Sequence, residues 1–137
     1  FGSSFLDGDV VTSNNSRGQR LDSLLLASGL VRGDSAASQV IEEFNKTNPR
    51  NYATVQKVAD HIDNVVMLAG IDHVGIGSDF DGVGDSLPIG LKDVSQFPNL
   101  ILELLKRGYS KEDIEKICYK NVWRVWNKVE QMASNNS

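Results

Sequence analysis

Apolar residues recur at helical spacing through the second half of the chain and thin out in the first. Val55, Val58, Ala59, Ile62, Val65, Val66 and Ala69 follow the i, i+3, i+4, i+7 rhythm of one helix face, with Thr54 placed to cap and Gly70 to stop the helix. Leu100, Ile101, Leu104 and Leu105 give the inner face of a second helix, which Ser95 is expected to cap, with Pro98 in its first turn and Gly108 beyond its end. Ser110 and Asp113 have capping-box spacing ahead of Ile114 and Ile117. Asn121 is placed to cap a last helix carrying Val122, Val125, Trp126, Val129 and Met132 as a stripe, with Trp123 beside it. Upstream, Val40, Ile41 and Phe44 predict a weaker helix over residues 36–47, ended by Asn48-Pro49. Residues 7–35 are rich in Ser, Asn, Asp and Gly around one apolar patch, Leu21 to Leu30, and read as a surface excursion with a helical turn or two.

A different pattern interrupts the helices. His73-Val74-Gly75-Ile76-Gly77-Ser78-Asp79 combines β-branched residues with two glycines, and Phe80-Asp81-Gly82-Val83-Gly84-Asp85 follows as a turn-rich segment. This predicts one buried strand delivering Asp79 to a loop. A fully apolar strand among helices points to the α/β class with a parallel sheet, its other strands lying outside this chain.

Composition narrows the function. The 137 residues carry 14 Lys and Arg against 18 Asp and Glu, a net charge of −4 in short mixed groups, which leaves no basic face for nucleic acid. One cysteine, Cys118, supports neither an internal disulfide nor a thiolate metal cluster. No apolar run approaches the ~18–20 residues of a membrane span. Phe1 in place of Met, with no basic start or long apolar stretch behind it, reads as a cut N-terminus rather than a secretory signal, and the polar end 133–137 has no tail for lipid-anchor exchange. Localisation is left open. Asn14-Asn15-Ser16, Asn45-Lys46-Thr47 and Asn135-Asn136-Ser137 have the form of glycosylation acceptors, which matter only behind a signal peptide.

The chemistry concentrates at Asp79 and Asp81, because catalytic groups in parallel α/β folds sit at carboxyl ends of strands. If extended geometry persists through Phe80, both carboxylates face one side; a break at Asp79 leaves only that one facing the site. The bland reading makes Asp81-Gly82 a turn and Asp79 a backbone cap. A calcium loop counted from Asp79 fails at its fifth position, Val83, and at its twelfth, Gly90, where a bidentate Glu is needed. A haloacid-dehalogenase-type phosphotransferase resembles Asp79-Phe80-Asp81-Gly82, with Asp79 as nucleophile, Asp81 as general acid and magnesium holding the phosphate. The helical pattern downstream argues against the further strands that fold requires. A zinc hydrolase needs clustered ligands, and His61 and His73 form neither an HxH nor an HExxH pair, so both read as structural or solvent-facing.

Taken together, Val58-Ala59-Asp60-His61-Ile62-Asp63, Asp72 through Gly82, Gly90-Leu91-Lys92-Asp93-Val94-Ser95 with Phe97-Pro98 and Leu100, Arg107 through Ile114, and Asn121 with Arg124-Val125 resemble the C-terminal part of the membrane dipeptidase (renal dipeptidase, peptidase M19) family, in order over residues 51–130. The resemblance implies a metal-dependent-hydrolase (β/α)8 TIM barrel of the amidohydrolase superfamily. These 137 residues would be the C-terminal segment of that single domain, dominated by helices with one clear parallel strand, and residues 7–50 would be a loop insertion. It further implies a zinc metallodipeptidase whose two zinc ions are held by residues outside this chain, leaving the segment inactive alone. Asp79 matches the family's catalytic Asp, near the metal-bridging water and the substrate's amino group, while Asp81 and Gly82 shape the loop. The partners implied are a dipeptide and, since family members are often homodimers, a second copy of the chain. Phe5 stands where well-known members carry a Tyr at the end of the preceding strand, which removes a polar contact to substrate. A relative lacking the upstream ligands, kept as a binding or scaffold protein, is the non-enzymatic alternative.

Overall fold

The computed structural model of the chain describes residues 1–135. Seven α-helices follow in order: α1 (Ser3–Leu6), α2 (Gly8–Ala27), α3 (Ala37–Thr47), α4 (Val55–Ala69), α5 (Phe97–Lys106), α6 (Lys111–Glu115) and α7 (Asn121–Ser134). Single turns of 3-10 helix at Ile71–His73 and Val94–Gln96, and a π-helical turn at Lys116–Lys120, join some of them.

The expected parallel strand is absent. Among the described residues no strand forms, and the one isolated bridge pairs Thr54 with Ile89 instead. Val74 has extended dihedrals and is buried, yet residues 74–79 have no neighbouring strand. The carbonyls of Gly77 and Ser78 accept from the Phe1 backbone nitrogen at 2.9 and 3.4 Å. A strand is defined by its ladder, and among the described residues no second strand pairs with this segment to supply it. The described chain is therefore helical with connecting loops rather than α/β. The N-terminal stretch expected to end another strand is likewise the helical turn α1, with Phe5 83% exposed.

The polar stretch 7–35, expected as a surface excursion, instead contains α2, twenty residues long. Asp7 caps it, its Oδ1 accepting from the Asp9 backbone N–H at 3.0 Å. Its buried positions, Val10, Arg17, Leu21 and Leu25, keep helical spacing, but one of them is an arginine and the apolar rhythm is broken there. Arg17 lies with its guanidinium 5.2 Å from the centre of the Phe44 ring, donates to the Asn48 carbonyl at 2.6 Å, and also bonds the Asn45 side chain. Leu21, Leu25, Ala37 and Phe44 then close a small core between α2 and α3. The two outer acceptor sequons differ in standing. Asn14 is committed to the Asn51 backbone through both amide atoms, at 2.8 and 3.0 Å, whereas the sequon at 135–137 runs outside the described residues.

The larger core joins α4 to α5 and the segments after each: Val58, Ala59 and Ile62 meet Leu100 and Leu104, with Val74, Leu91, Ile114 and Ile117 around them. Thr54 and Gly70 bound α4 as expected, Thr54 Oγ1 accepting from the Lys57 N–H and Gly70 taking φ +91°. Leu105, expected on the inner face of α5, is half exposed. Ser95 does not cap α5, whose N-cap is Gln96 without a side-chain bond; Asp93 caps the 3-10 turn ahead of it, accepting from the Ser95 N–H at 2.8 Å. The Ser110–Asp113 capping box forms in both directions.

Asn121 does not cap α7, because the π-helical turn carries the chain into it without a break. Its buried amide donates to the carbonyls of Ile71 and Val74, both at 2.8 Å, and so ties α7 to the extended segment. The stripe it begins is uncovered: Val122, Trp123, Val125, Trp126, Val129 and Met132 are all more than half exposed, and a groove of about 610 Å³ separates them from Asp72–Gly75.

One bond in the α4–α5 seam sets an alkaline limit. Burial, then the hydrogen bond to Asp63 at 2.7 Å, push the Tyr109 phenol up to about 12 from an ordinary 10. A group whose pKa rises on folding contributes stability below its unfolded value, and that contribution disappears as pH climbs through the folded one. Stability should therefore fall between about pH 10 and 12 by on the order of 2 kcal/mol more in the wild-type chain than in Tyr109→Phe, as read by urea unfolding across that range.

Candidate functional site

The site begins where the extended backbone ends. Asp79 has φ +54°, the one non-glycine residue with positive φ among the described residues. Aspartate tolerates this left-handed region better than most side chains, at a cost of about 1 kcal/mol, and such strain persists only where the surroundings dictate it. Here the Phe80 ring supplies the constraint. It packs edge-on against Phe1, centroids 5.9 Å apart, and at a tilt against Phe97 at 5.5 Å, which fixes the chain one residue beyond Asp79.

The break settles the geometry of the two acids. Strand alternation does not continue through Phe80, so Asp79 and Asp81 are not a paired set on one extended face. Both are exposed, and among the described residues neither carboxylate has a hydrogen-bond or ion-pair partner. Gly82 (φ +72°) and Gly84 (φ +55°) turn the chain into a short arch over residues 79–84.

The far end of that arch is held by residues the sequence did not single out. Lys92 Nζ donates to Asp85 Oδ1 and to the Leu87 carbonyl, each at 2.7 Å, and lies 3.8 Å from the centre of the Tyr52 ring, whose hydroxyl also bonds Asp85. The Lys92 ammonium, with the Tyr52 hydroxyl, holds the Asp85 carboxyl below its ordinary range, while burial and then Asp85 push the Tyr52 phenol up. Beside this clasp the Ile89 N–H donates to the Ala53 carbonyl at 2.9 Å, Ser3 N–H to the Ser86 carbonyl at 2.8 Å, and Leu87 and Leu91 are buried. Gly90 packs so tightly that a Cβ there would stand 2.8 Å from Val55 Cγ2. No local pattern announces the clasp, since Tyr52 and Asp85 are 33 residues apart.

His61 and His73 both lie at the surface, the first with Nε2 2.9 Å from the Leu6 carbonyl. Among the described residues no three His, Cys, Asp or Glu side chains converge in a way that could hold a metal ion. The groove along α7 lies elsewhere and is mainly apolar, and of its two acids Asp72 pairs with Lys116 and Glu130 accepts from Trp126, so the strained carboxylate rather than the groove marks the candidate site.

Residues 11–137 match the family model described as membrane dipeptidase (peptidase family M19). The chain is 51% identical over 80 residues to the dipeptidase ataJ of Aspergillus terreus, covering 58% of this chain and 19% of that protein. It is 48% identical over 82 residues to the dipeptidase tcpJ of Claviceps purpurea, covering 60% and 19%. Against the crystal structure of the probable dipeptidase PvdM from Pseudomonas aeruginosa it superposes with a TM-score of 0.59 at 32% identity, covering 85% of this chain and 34% of the other. The chain thus spans about a fifth of the length of the curated relatives it matches and a third of the solved one.

Proposed function

The chain belongs to the membrane dipeptidase family, peptidase family M19, and we propose that it forms the C-terminal segment of a zinc metallodipeptidase, to which it contributes Asp79 as acid–base and substrate-binding residue. The observation that carries this reading is the strained, exposed and unpartnered carboxylate of Asp79, held between an aromatic cluster and a polar clasp inside a segment related to dipeptidases. A carboxylate committed to a structural ion pair would be unavailable to a substrate, and this one is uncommitted.

In this reading the zinc ligands would lie in the remainder of the polypeptide, and the metal would supply an acidified water and a polarised carbonyl. The role of this chain is narrower. The Asp79 carboxylate takes up a proton and returns it to the departing amine, and its negative charge receives the free amino group of a dipeptide. Asp81 and Gly82 shape the arch.

The test compares the complete polypeptide with residues 1–137 alone. The complete protein should hydrolyse a dipeptide, lose activity to a chelator and regain it with zinc, while the 137-residue segment should be inactive. Dipeptide cleavage indifferent to chelation would count against the metal. A magnesium-dependent phosphatase inhibited by beryllium fluoride would replace this reading with phosphoryl transfer at Asp79 and Asp81.

A further inference from the structure

The arch that carries Asp79 and Asp81 is anchored twice. Its near end is fixed by the Phe80 ring between Phe1 and Phe97, its far end by Asp85. Between these anchors the backbone turns at Gly82 and Gly84, and no regular structure supports it. A short segment with two glycines takes its shape from its ends, so what fixes Asp85 also fixes the carboxylates at residues 79 and 81.

We propose that Lys92 and Tyr52 are positioning residues for the reaction, acting through Asp85 to hold the arch so that the Asp79 carboxylate stands ready for substrate. This inference rests on the reading of Asp79 given above. The arrangement is more than a surface ion pair. One ammonium joins three separate points: a carboxylate at the end of the arch, a carbonyl in the buried stretch beyond it, and an aromatic face at the entrance to α4. The Lys92 side chain is one-third exposed and Asp85 65%, so the clasp holds by its number of attachments rather than by exclusion of solvent. The Tyr52 hydroxyl supplies a second bond to the same carboxylate, so Asp85 is gripped from both sides. Because the bridge Thr54–Ile89 and the Ile89 to Ala53 bond lie alongside, loss of the clasp frees the arch without unfolding the core.

Five variants of the complete polypeptide test this together: Lys92→Met, Tyr52→Phe, Lys92→Arg, the double variant Lys92→Met/Asp85→Asn and, as a reference, Asp79→Asn. Lys92→Met should raise hydrogen exchange in the peptide spanning residues 79–88 and lower kcat by about tenfold, the scale expected when a reacting group is displaced by a fraction of an ångström, with KM changed much less. Tyr52→Phe should act in the same direction more weakly, and Lys92→Arg should recover most of the loss, because a cation still reaches Asp85. The double variant Lys92→Met/Asp85→Asn should be no worse than Lys92→Met alone, since both remove one clasp. Raised exchange with unchanged kcat would overturn the positioning role, and unchanged exchange would overturn the clasp itself. An active Asp79→Asn enzyme would instead refute the reading of Asp79, whatever Lys92→Met does.

Discussion

Asp79→Asn in the complete polypeptide is expected to lower kcat by about 10²–10⁴, the usual contribution of a positioned general acid–base group, with folding and metal content unchanged. The choice of Asn matters because the backbone at this position is strained. Asparagine shares the tolerance of aspartate for positive φ, so the substitution removes the charge and the proton acceptor while leaving the φ of +54° accessible. Alanine would add a backbone cost and confuse the two effects. Because neither acid has a partner among the described residues, removing the charge breaks no bond within the chain and leaves no cation unpaired. Asp79→Asn should therefore be neutral in a denaturation experiment even as activity collapses. Asp81→Asn separates the two acids. If Asp81 only shapes the arch, its loss should cost far less than that of Asp79, whereas equal losses would favour a paired-acid mechanism. An Asp79→Asn enzyme with near-normal turnover on dipeptides would end the role given to this carboxylate.

Much of the helical half of the fold was legible in sequence because its apolar positions obey one period and its ends carry recognisable caps. Thr54, Gly70, Ser110 and Asp113 all act within three or four residues of the ends they define, so sequence spacing and spatial contact coincide. α2 escaped because Arg17 occupies an inner position that periodicity reserves for an apolar side chain, and its cation is satisfied by Phe44, Asn45 and Asn48 from another helix. The strand failed for the opposite reason. Val74 and Ile76 have the composition of a strand, but a ladder depends on a second strand, and among the described residues none pairs with them. Asn121 has the identity of a cap yet serves the Ile71 and Val74 carbonyls fifty and forty-seven residues away. At the site, Asp79 was visible from its motif, whereas the clasp of Tyr52, Asp85 and Lys92 was not, because its members meet only after α4 and the arch have folded together. The blocks that resemble the dipeptidase family show why whole-segment similarity carried more than any one spacing. Asp60 and Asp63 from one block meet Arg107 and Tyr109 from another, and Arg124 from a third donates to the Asp72 carbonyl at 2.6 Å.

The first of those meetings should contribute measurably to the stability of the seam between α4 and α5. Arg107 Nη1 contacts Asp60 at 2.8 Å and Asp63 at 2.5 Å, its Nε reaches Glu103 at 3.0 Å, and its Nη2 donates to the Gln56 carbonyl at 3.0 Å. One guanidinium thus ties the end of α5 to both the first turn and the middle of α4, using the planar fork that lysine lacks. Arg107→Met keeps the aliphatic stem and removes the charge, leaving three carboxylates facing one another without a cation. The side chains of Arg107 and Glu103 are 21% and 14% exposed, so that pair is poorly rehydrated when broken. Asp60 and Asp63, at 54% and 43%, recover water, which discounts their share. Breaking a buried pair by removing one partner costs ~3–5 kcal/mol, and with that discount the expected loss is about 2–3 kcal/mol. Urea unfolding should show it as a lower midpoint with an unchanged slope, and Arg107→Lys should recover little. A loss below about 0.5 kcal/mol would place the whole network among screened surface pairs. None of the Arg107 partners is a residue of the arch or the clasp, so Arg107→Met should leave kcat per folded molecule near wild type. Lys92→Met should do the reverse, sparing much of the stability and reducing turnover, and the opposite pattern in these two variants would reverse the division of labour between seam and clasp.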